Sequence, residues 1–99
     1  MWYSIYCEDN SDSLPLRKQA RPAHLSRLEE LKMEGRLLVA GPFPAIDNEE
    51  PGEYGFTGSL IIAEFDSLGE AEQWASSDPY QQAGVYQRVT VKPYKRVLP

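Results

Sequence analysis

Apolar and polar positions along this chain follow a strand-like pattern in some segments and a helical pattern in others. The segment from Trp2 to Cys7 is rich in aromatic and β-branched residues and carries apolar side chains on both faces. This pattern predicts a strand that is covered on both sides. Residues 36–41, 59–65 and 85–97 contain short apolar or β-branched runs, which predict three further strands.

Helical spacing occurs between these strands. Leucines recur at helical intervals from Leu25 to Leu31, and Gly35 follows as a C-terminal cap. Residues 14–20 are also compatible with a helix, but Pro22 has no amide hydrogen. We therefore expect the helix to break or restart at Pro22.

A second helix is predicted to begin at Ser67, because Ser67 and Glu70 have the spacing of a capping box. Pro79 disfavours a helical conformation at Asp78, so we expect this helix to end before Asp78. Residues 43–58 are rich in proline, glycine and acidic side chains and are expected to form one long loop. The acidic residues of this loop fit a solvated surface better than a metal site.

The resulting order, β-α-β-β-α-β, predicts one α+β domain over residues 1–99. Its expected architecture is a ferredoxin-like sandwich, a four-stranded antiparallel sheet with both helices on one face. Apolar residues occur on both faces of the first and last strands, so the second face of the sheet needs a cover. We therefore expect a homodimer in which two sheets stack against each other.

Charge and composition narrow the class of partner. Fifteen acidic and ten basic residues give a formal net charge of −5, which argues against binding to nucleic acid. No apolar segment is long enough to predict insertion into a membrane. Cys7 is the only cysteine, so no intrachain disulfide can form, and it is expected to be a buried thiol. The first residues have no basic flank and no long apolar core, so the cytoplasm is the expected compartment. Neither metal-ligand spacing nor a glycine-rich nucleotide loop occurs, so we expect no metal and no cofactor.

The candidate chemistry centres on His24, the only histidine. Histidine is the side chain best suited to move protons at neutral pH, and Asp78 offers a carboxylate to orient it. Asp78 is equally suited to cap the turn that follows it, and both roles can coexist. If Pro22 starts the helix, His24 is the third helical residue. The positive end of the helix dipole then disfavours the imidazolium.

The role of the two arginines that precede His24 depends on whether the helix is continuous. In a continuous helix, Arg17 and Arg21 would share the face of His24 and attract an anionic ligand, whereas a break at Pro22 favours a solvated basic patch. Ser59 is only a weak candidate nucleophile, because it is not part of a Gly-x-Ser-x-Gly motif.

Several motifs resemble the YCII-related family of small bacterial proteins. They are Arg21-Pro22-Ala23-His24-Leu25, Glu34 to Leu38 leading into Ala40-Gly41-Pro42, Gly55 to Ser59, Asp78-Pro79-Tyr80 and Val91 to Tyr94. The resemblance implies a dimeric α/β barrel of ferredoxin-like subunits and a His-Asp site, here His24 and Asp78. We expect five residues in or beside these motifs to contact a substrate: Arg21, Gly41, Pro42, Ser59 and Tyr80.

The resemblance also indicates a type of chemistry. A relative of this family is similar to a dehydrochlorinase that acts on a chlorinated hydroxyquinol, and the fold hosts cofactor-free monooxygenases and isomerases. We therefore expect an elimination or isomerisation in which His24, oriented by Asp78, moves a proton on a small anionic or phenolic molecule. Two alternatives stay open: a dimer that binds a small molecule without catalysis, and a purely structural dimer.

Overall fold

The computed structural model describes residues 1–99. Its elements are β1 (Trp2–Asp9), α1 (Leu14–Met33), β2 (Leu37–Pro44), a 3-10 turn (Gly52–Tyr54), β3 (Phe56–Glu64), α2 (Leu68–Ser76), α3 (Pro79–Gln82) and β4 (Tyr86–Tyr94). The four strands form one antiparallel sheet in the order β2-β3-β1-β4. This is the predicted ferredoxin-like α+β fold.

One face of the sheet carries the helices and the hydrophobic core. In β1, alternate residues from Tyr3 to Cys7 are buried, and Ile5 pairs with Ile61 in the middle of β3. Leu28 of α1 and Ala71 of α2 belong to the same apolar cluster. Both helices therefore pack on the same side of the sheet, as predicted.

The opposite face has no cover within the chain, and we call it the open face. Residues paired across the strands place seven apolar side chains there: Trp2, Tyr6, Val39, Phe43, Leu60, Ile62 and Tyr94. The side chains of Tyr6 and Val39 are 44% and 48% exposed. The first strand thus has apolar side chains on both faces, as its sequence pattern predicted.

The predicted break at Pro22 is wrong. Helix α1 continues for 20 residues with Pro22 inside it, and His24 lies near its middle rather than in its first turn. Pro22 is exposed, while Arg17, His24, Leu28 and Leu31 recur along one buried stripe. Packing of this stripe holds the helix together despite the hydrogen bond that Pro22 cannot make. The expected influence of a helix N-terminus on His24 therefore does not apply.

The strand boundaries also differ from those predicted. Strand β2 continues to Pro44 and β3 begins at Phe56, so the loop between them covers only 45–55, including the 3-10 turn. Pro42 and Pro93 are tolerated because β2 and β4 are the edge strands, where an amide hydrogen is not required on the outer side. Strand β1 runs on to Asp9, and β4 is limited to Tyr86–Tyr94.

Candidate active site

His24 and Asp78 meet where the middle of α1 faces the start of α3. The distance from His24 Nδ1 to Asp78 Oδ1 is 2.8 Å, and both side chains are buried. An ionised carboxylate only accepts hydrogen bonds, so the neutral imidazole must carry its proton on Nδ1. This leaves the lone pair on Nε2, which makes no hydrogen bond within the protein.

Asp78 also caps α3, as the alternative interpretation of the sequence predicted. The same oxygen, Oδ1, accepts a hydrogen bond of 2.9 Å from the amide of Tyr80. Asp78 has an extended backbone, which Pro79 favours in the residue that precedes it. One oxygen of Asp78 therefore makes both contacts that the two interpretations of the sequence expected.

The ring of Tyr80 fixes the plane of the imidazole. The two rings stack with centroids 3.8 Å apart and an angle of 3° between their planes. Tyr80 is buried, and burial raises the pKa of its hydroxyl despite the nearby charge of Arg17. His24 is therefore held along one edge by Asp78 and over one face by Tyr80.

Arg17 lies two helical turns before His24 and is buried, although it is charged. Its Nε and Nη2 donate to the two oxygens of Asp9 at 2.7 and 2.9 Å, and Ser13 Oγ donates to Asp9 at 2.6 Å. Burial alone would lower the pKa of Arg17, but its bonds with Asp9 raise the pKa instead. The two side chains, which are 6% and 2% exposed, form a largely buried ion pair at the end of β1.

Arg17 also organises the start of β3. Its Nη2 donates to the carbonyl of Gly58 and to Ser59 Oγ, each at 2.9 Å. Gly58 cannot carry a side chain, because a Cβ there would clash with the carbonyl oxygen of Cys7. Since Ser59 Oγ accepts from Arg17, the hydroxyl hydrogen of Ser59 is free to point elsewhere.

These groups border one cavity of about 400 Å³ between α1 and the β2–β3 half of the sheet. Its lining includes His24 and all five residues that were predicted to contact a substrate, namely Arg21, Gly41, Pro42, Ser59 and Tyr80, together with Arg17, Lys18 and apolar side chains such as Leu25 and Phe56. Asp78 lies behind His24. The structure thus brings together every predicted site residue, while their roles in binding or catalysis stay predictions.

Sequence reasoning missed the part played by Arg17 and Asp9. The spacing of Arg17, Arg21 and His24 carried the signal, because these residues share one face of a continuous helix. The expected break at Pro22 hid that signal. No sequence signal pointed to Asp9, because the predicted β1 ended at Cys7. In the structure β1 continues to Asp9, and this longer strand places Asp9 next to α1.

Cys7 is 1% exposed, as predicted, and burial raises the pKa of its thiol to about 12. The thiol therefore stays protonated and is a poor nucleophile. No cluster of three or more His, Cys, Asp or Glu side chains is placed to hold a metal ion. No helix is long and apolar enough to cross a membrane.

The fold and site define a ferredoxin-like α+β protein with a buried histidine–carboxylate pair beside a small cavity. The model of the YCII-related domain matches residues 1–95, and the chain belongs to this family. It is 59% identical to Protein YciI of Escherichia coli O6:H1 over 98 residues, which cover 99% of this chain and 100% of that protein. A protein of Haemophilus influenzae is 53% identical over the same shares of the two chains.

One solved structure is similar over almost the whole chain. It is the 5-chloro-2-hydroxyhydroquinone dehydrochlorinase of Burkholderia phenoliruptrix AC1100 in complex with 2,5-dihydroxybenzoquinone. The two chains share 32% identity with a TM-score of 0.84, and the match covers 96% of this chain and 94% of the other. That protein, which has the same fold as this chain, therefore binds a small quinone.

Proposed function

We propose that this protein is an enzyme in which His24 acts as a general base on a small phenolic or otherwise acidic organic molecule. The observation that carries the proposal is the buried bond of 2.8 Å between His24 Nδ1 and Asp78 Oδ1, beside a cavity that His24 lines. Asp78 holds the imidazole in the form whose Nε2 can accept a proton, and it stabilises the imidazolium that results.

Ser59 is suited to bind an oxygen of the substrate. Arg17 occupies a lone pair of Ser59 Oγ and fixes its position, so the hydroxyl hydrogen can be donated into the cavity that Ser59 lines. A donor held in place before the reaction stabilises charge that develops on an oxygen. His24 would then accept the proton of a substrate, while Ser59 donates a hydrogen bond to the oxyanion of the same molecule.

Elimination is the reaction class that we favour over isomerisation. A base that removes a hydroxyl proton from a chlorinated hydroquinone lets the ring carbon that bears chlorine take up a proton, so a C–H bond and a carbonyl form. Removal of a second hydroxyl proton then forms the second carbonyl and breaks the C–Cl bond. The net loss is one proton and one chloride ion and the product is a quinone, so atoms and electrons balance without any redox partner. The support is the similarity to a dehydrochlorinase over almost the whole chain.

The direct test uses 5-chloro-2-hydroxyhydroquinone and measures chloride release by ion chromatography, with 2,5-dihydroxybenzoquinone as a binding probe. We expect release of chloride above the spontaneous rate and competition by the quinone. A protein that binds the quinone with equal affinity before and after His24→Gln, and releases no chloride, would instead be a non-catalytic binding module. That second function is favoured only by the partly apolar cavity.

We also propose that two copies form a homodimer through their open faces. The seven apolar side chains on that face, with Tyr6 and Val39 about half exposed, support a partner of the same kind. A stable two-fold interface needs at least about 1,000 Å² of buried surface, which a sheet of four strands can supply.

The buried, free Cys7 further supports the cytoplasm as the compartment.

Sedimentation equilibrium at micromolar concentration should give about twice the chain mass of 11.2 kDa. Tyr6→Lys with Val39→Lys places two charges in the apolar interface, so this variant is expected to sediment as a monomer. Met33→Lys, at an exposed position on α1 away from the open face, should stay dimeric. A wild-type monomer would contradict the stacked-sheet model.

A further inference from the structure

We propose that the cavity selects small organic anions, and that Lys18 and Arg21 bind a negatively charged oxygen of the ligand, such as that of a carboxylate, at its mouth. This inference rests on the proposed function only in using the same cavity. It concerns how the molecule is recognised, whereas the proposed function concerns how it reacts.

The charge of the cavity is opposite to the charge of the chain. The chain has a formal net charge of −5, yet the lining contains Arg17, Lys18 and Arg21 and no Asp or Glu side chain. Asp78 is not part of the lining, and its Oδ1 accepts hydrogen bonds from His24 and from the amide of Tyr80. A concave wall with cations alone raises the local concentration of anions.

Only part of that positive charge is neutralised. Arg17 is paired with Asp9, but neither Lys18 nor Arg21 takes part in any of the ion pairs of the structure. Both side chains are exposed, so they are free to close on a ligand. In contrast, Arg36 and Lys32 each lie within 4.0 Å of a glutamate.

The continuous helix places these two cations side by side. Lys18 and Arg21 are three residues apart on α1, which separates them by about 4.5 Å along the helix axis. Like charges at this spacing repel each other, and an anion held between them relieves the repulsion. Arg21 is in turn three residues before His24, so a carboxylate at the mouth leaves the rest of the molecule next to the imidazole.

The remaining walls fit the organic part of such an anion. Leu25, Pro42 and Phe56 line the cavity and offer apolar surface, and its volume of about 400 Å³ suits one small ring or a short branched chain. The anionic oxygen, which is a carboxylate in an organic acid, is therefore a recognition group held by Lys18 and Arg21. The reacting atom lies deeper, within reach of His24 and Ser59.

The test compares benzoate with benzamide, which has nearly the same shape but no charge. Binding is followed by chemical shift changes in NMR titrations of the wild type and of two double variants. Lys18→Gln with Arg21→Gln removes the two cations at the mouth. Lys32→Gln with Lys95→Gln removes the same charge at exposed positions outside the cavity.

We expect wild type to bind benzoate at least about tenfold more tightly than benzamide, with shifts centred on His24 and Ser59. The variant at the mouth should lose this preference, while the Lys32/Lys95 variant keeps it. Equal binding of the two probes, an equal loss in both variants, or no binding of benzoate at about 10 mM would each overturn the proposal. Chloride release from 5-chloro-2-hydroxyhydroquinone is measured independently, so its failure would count against the proposed reaction alone.

Discussion

His24→Gln is expected to lower kcat/KM for chloride release from 5-chloro-2-hydroxyhydroquinone by about 10²–10⁴-fold, the usual contribution of a general base. Glutamine is similar in size and polar, but its side chain cannot take a proton at neutral pH. The affinity for 2,5-dihydroxybenzoquinone should change far less, because Arg17, Ser59 and the apolar walls are untouched. A rate equal to that of the wild type would contradict the assignment of His24 as the base.

Asp78→Asn should lower kcat/KM less than His24→Gln does, because asparagine can keep the hydrogen bonds of Asp78. One oxygen, Oδ1, accepts from both His24 Nδ1 and the amide of Tyr80, so an asparagine oxygen can replace it in both bonds. The tautomer of His24 and the cap of α3 are then kept, and only the negative charge is lost. A bond to a charged acceptor exceeds a neutral one by about 1.4 kcal/mol, so we expect a loss of about tenfold.

Nitrogen-15 NMR separates these effects, because each chain has a single histidine. The neutral imidazole should be protonated on Nδ1 in the wild type and in Asp78→Asn. The exposed Asp66→Asn serves as the control, since it makes the same chemical change away from the cavity and should alter neither the tautomer nor the rate. A proton on Nε2 in the wild type would remove the lone pair that the mechanism needs.

The sequence predicts the order of elements well, because each strand and helix has its own local pattern. It fails at Pro22, since the cost of a proline inside a helix is a local property, whereas the packing that offsets this cost involves residues of distant elements. The same limit applies to β2 and β3. Prolines and glycines indicated a loop, but an edge strand tolerates Pro42, and Gly58 is required where two strands approach closely.

The residues of the candidate site could be predicted from the sequence only in part. His24 and Asp78 were predictable because a single histidine limits the choice, Asp78 follows the second predicted helix, and the family resemblance implies the same pair. The bond between them joins residues 54 positions apart, so its length could come only from the fold. Arg17 is charged, and charged side chains usually lie at the surface. Its burial depends on the ion pair with Asp9. A buried ion pair of this kind has no local pattern in the sequence.

Arg17→Met is expected to destabilise the protein by about 3–5 kcal/mol, because it leaves the carboxylate of Asp9 buried without its cation. The side chain of Asp9 is only 2% exposed, and Gly58 and Ser59 lose a donor as well. Urea unfolding at one fixed protein concentration measures the change, since a dimer would make stability depend on concentration. Lys18→Met, at the next and exposed position, is the control and should stay within about 0.5 kcal/mol of the wild type.

Two further variants keep this prediction testable if Arg17→Met does not fold. Arg17→Lys retains the charge but cannot reproduce the paired bonds from Nε and Nη2 to Asp9, so we expect a loss smaller than that of methionine. Arg17→Met combined with Asp9→Asn removes both charges and should be more stable than Arg17→Met alone, because no unpaired buried charge is left. If the double variant is instead less stable than Arg17→Met, the cost does not arise from the isolated carboxylate, and the contacts of Arg17 with Gly58 and Ser59 must account for it.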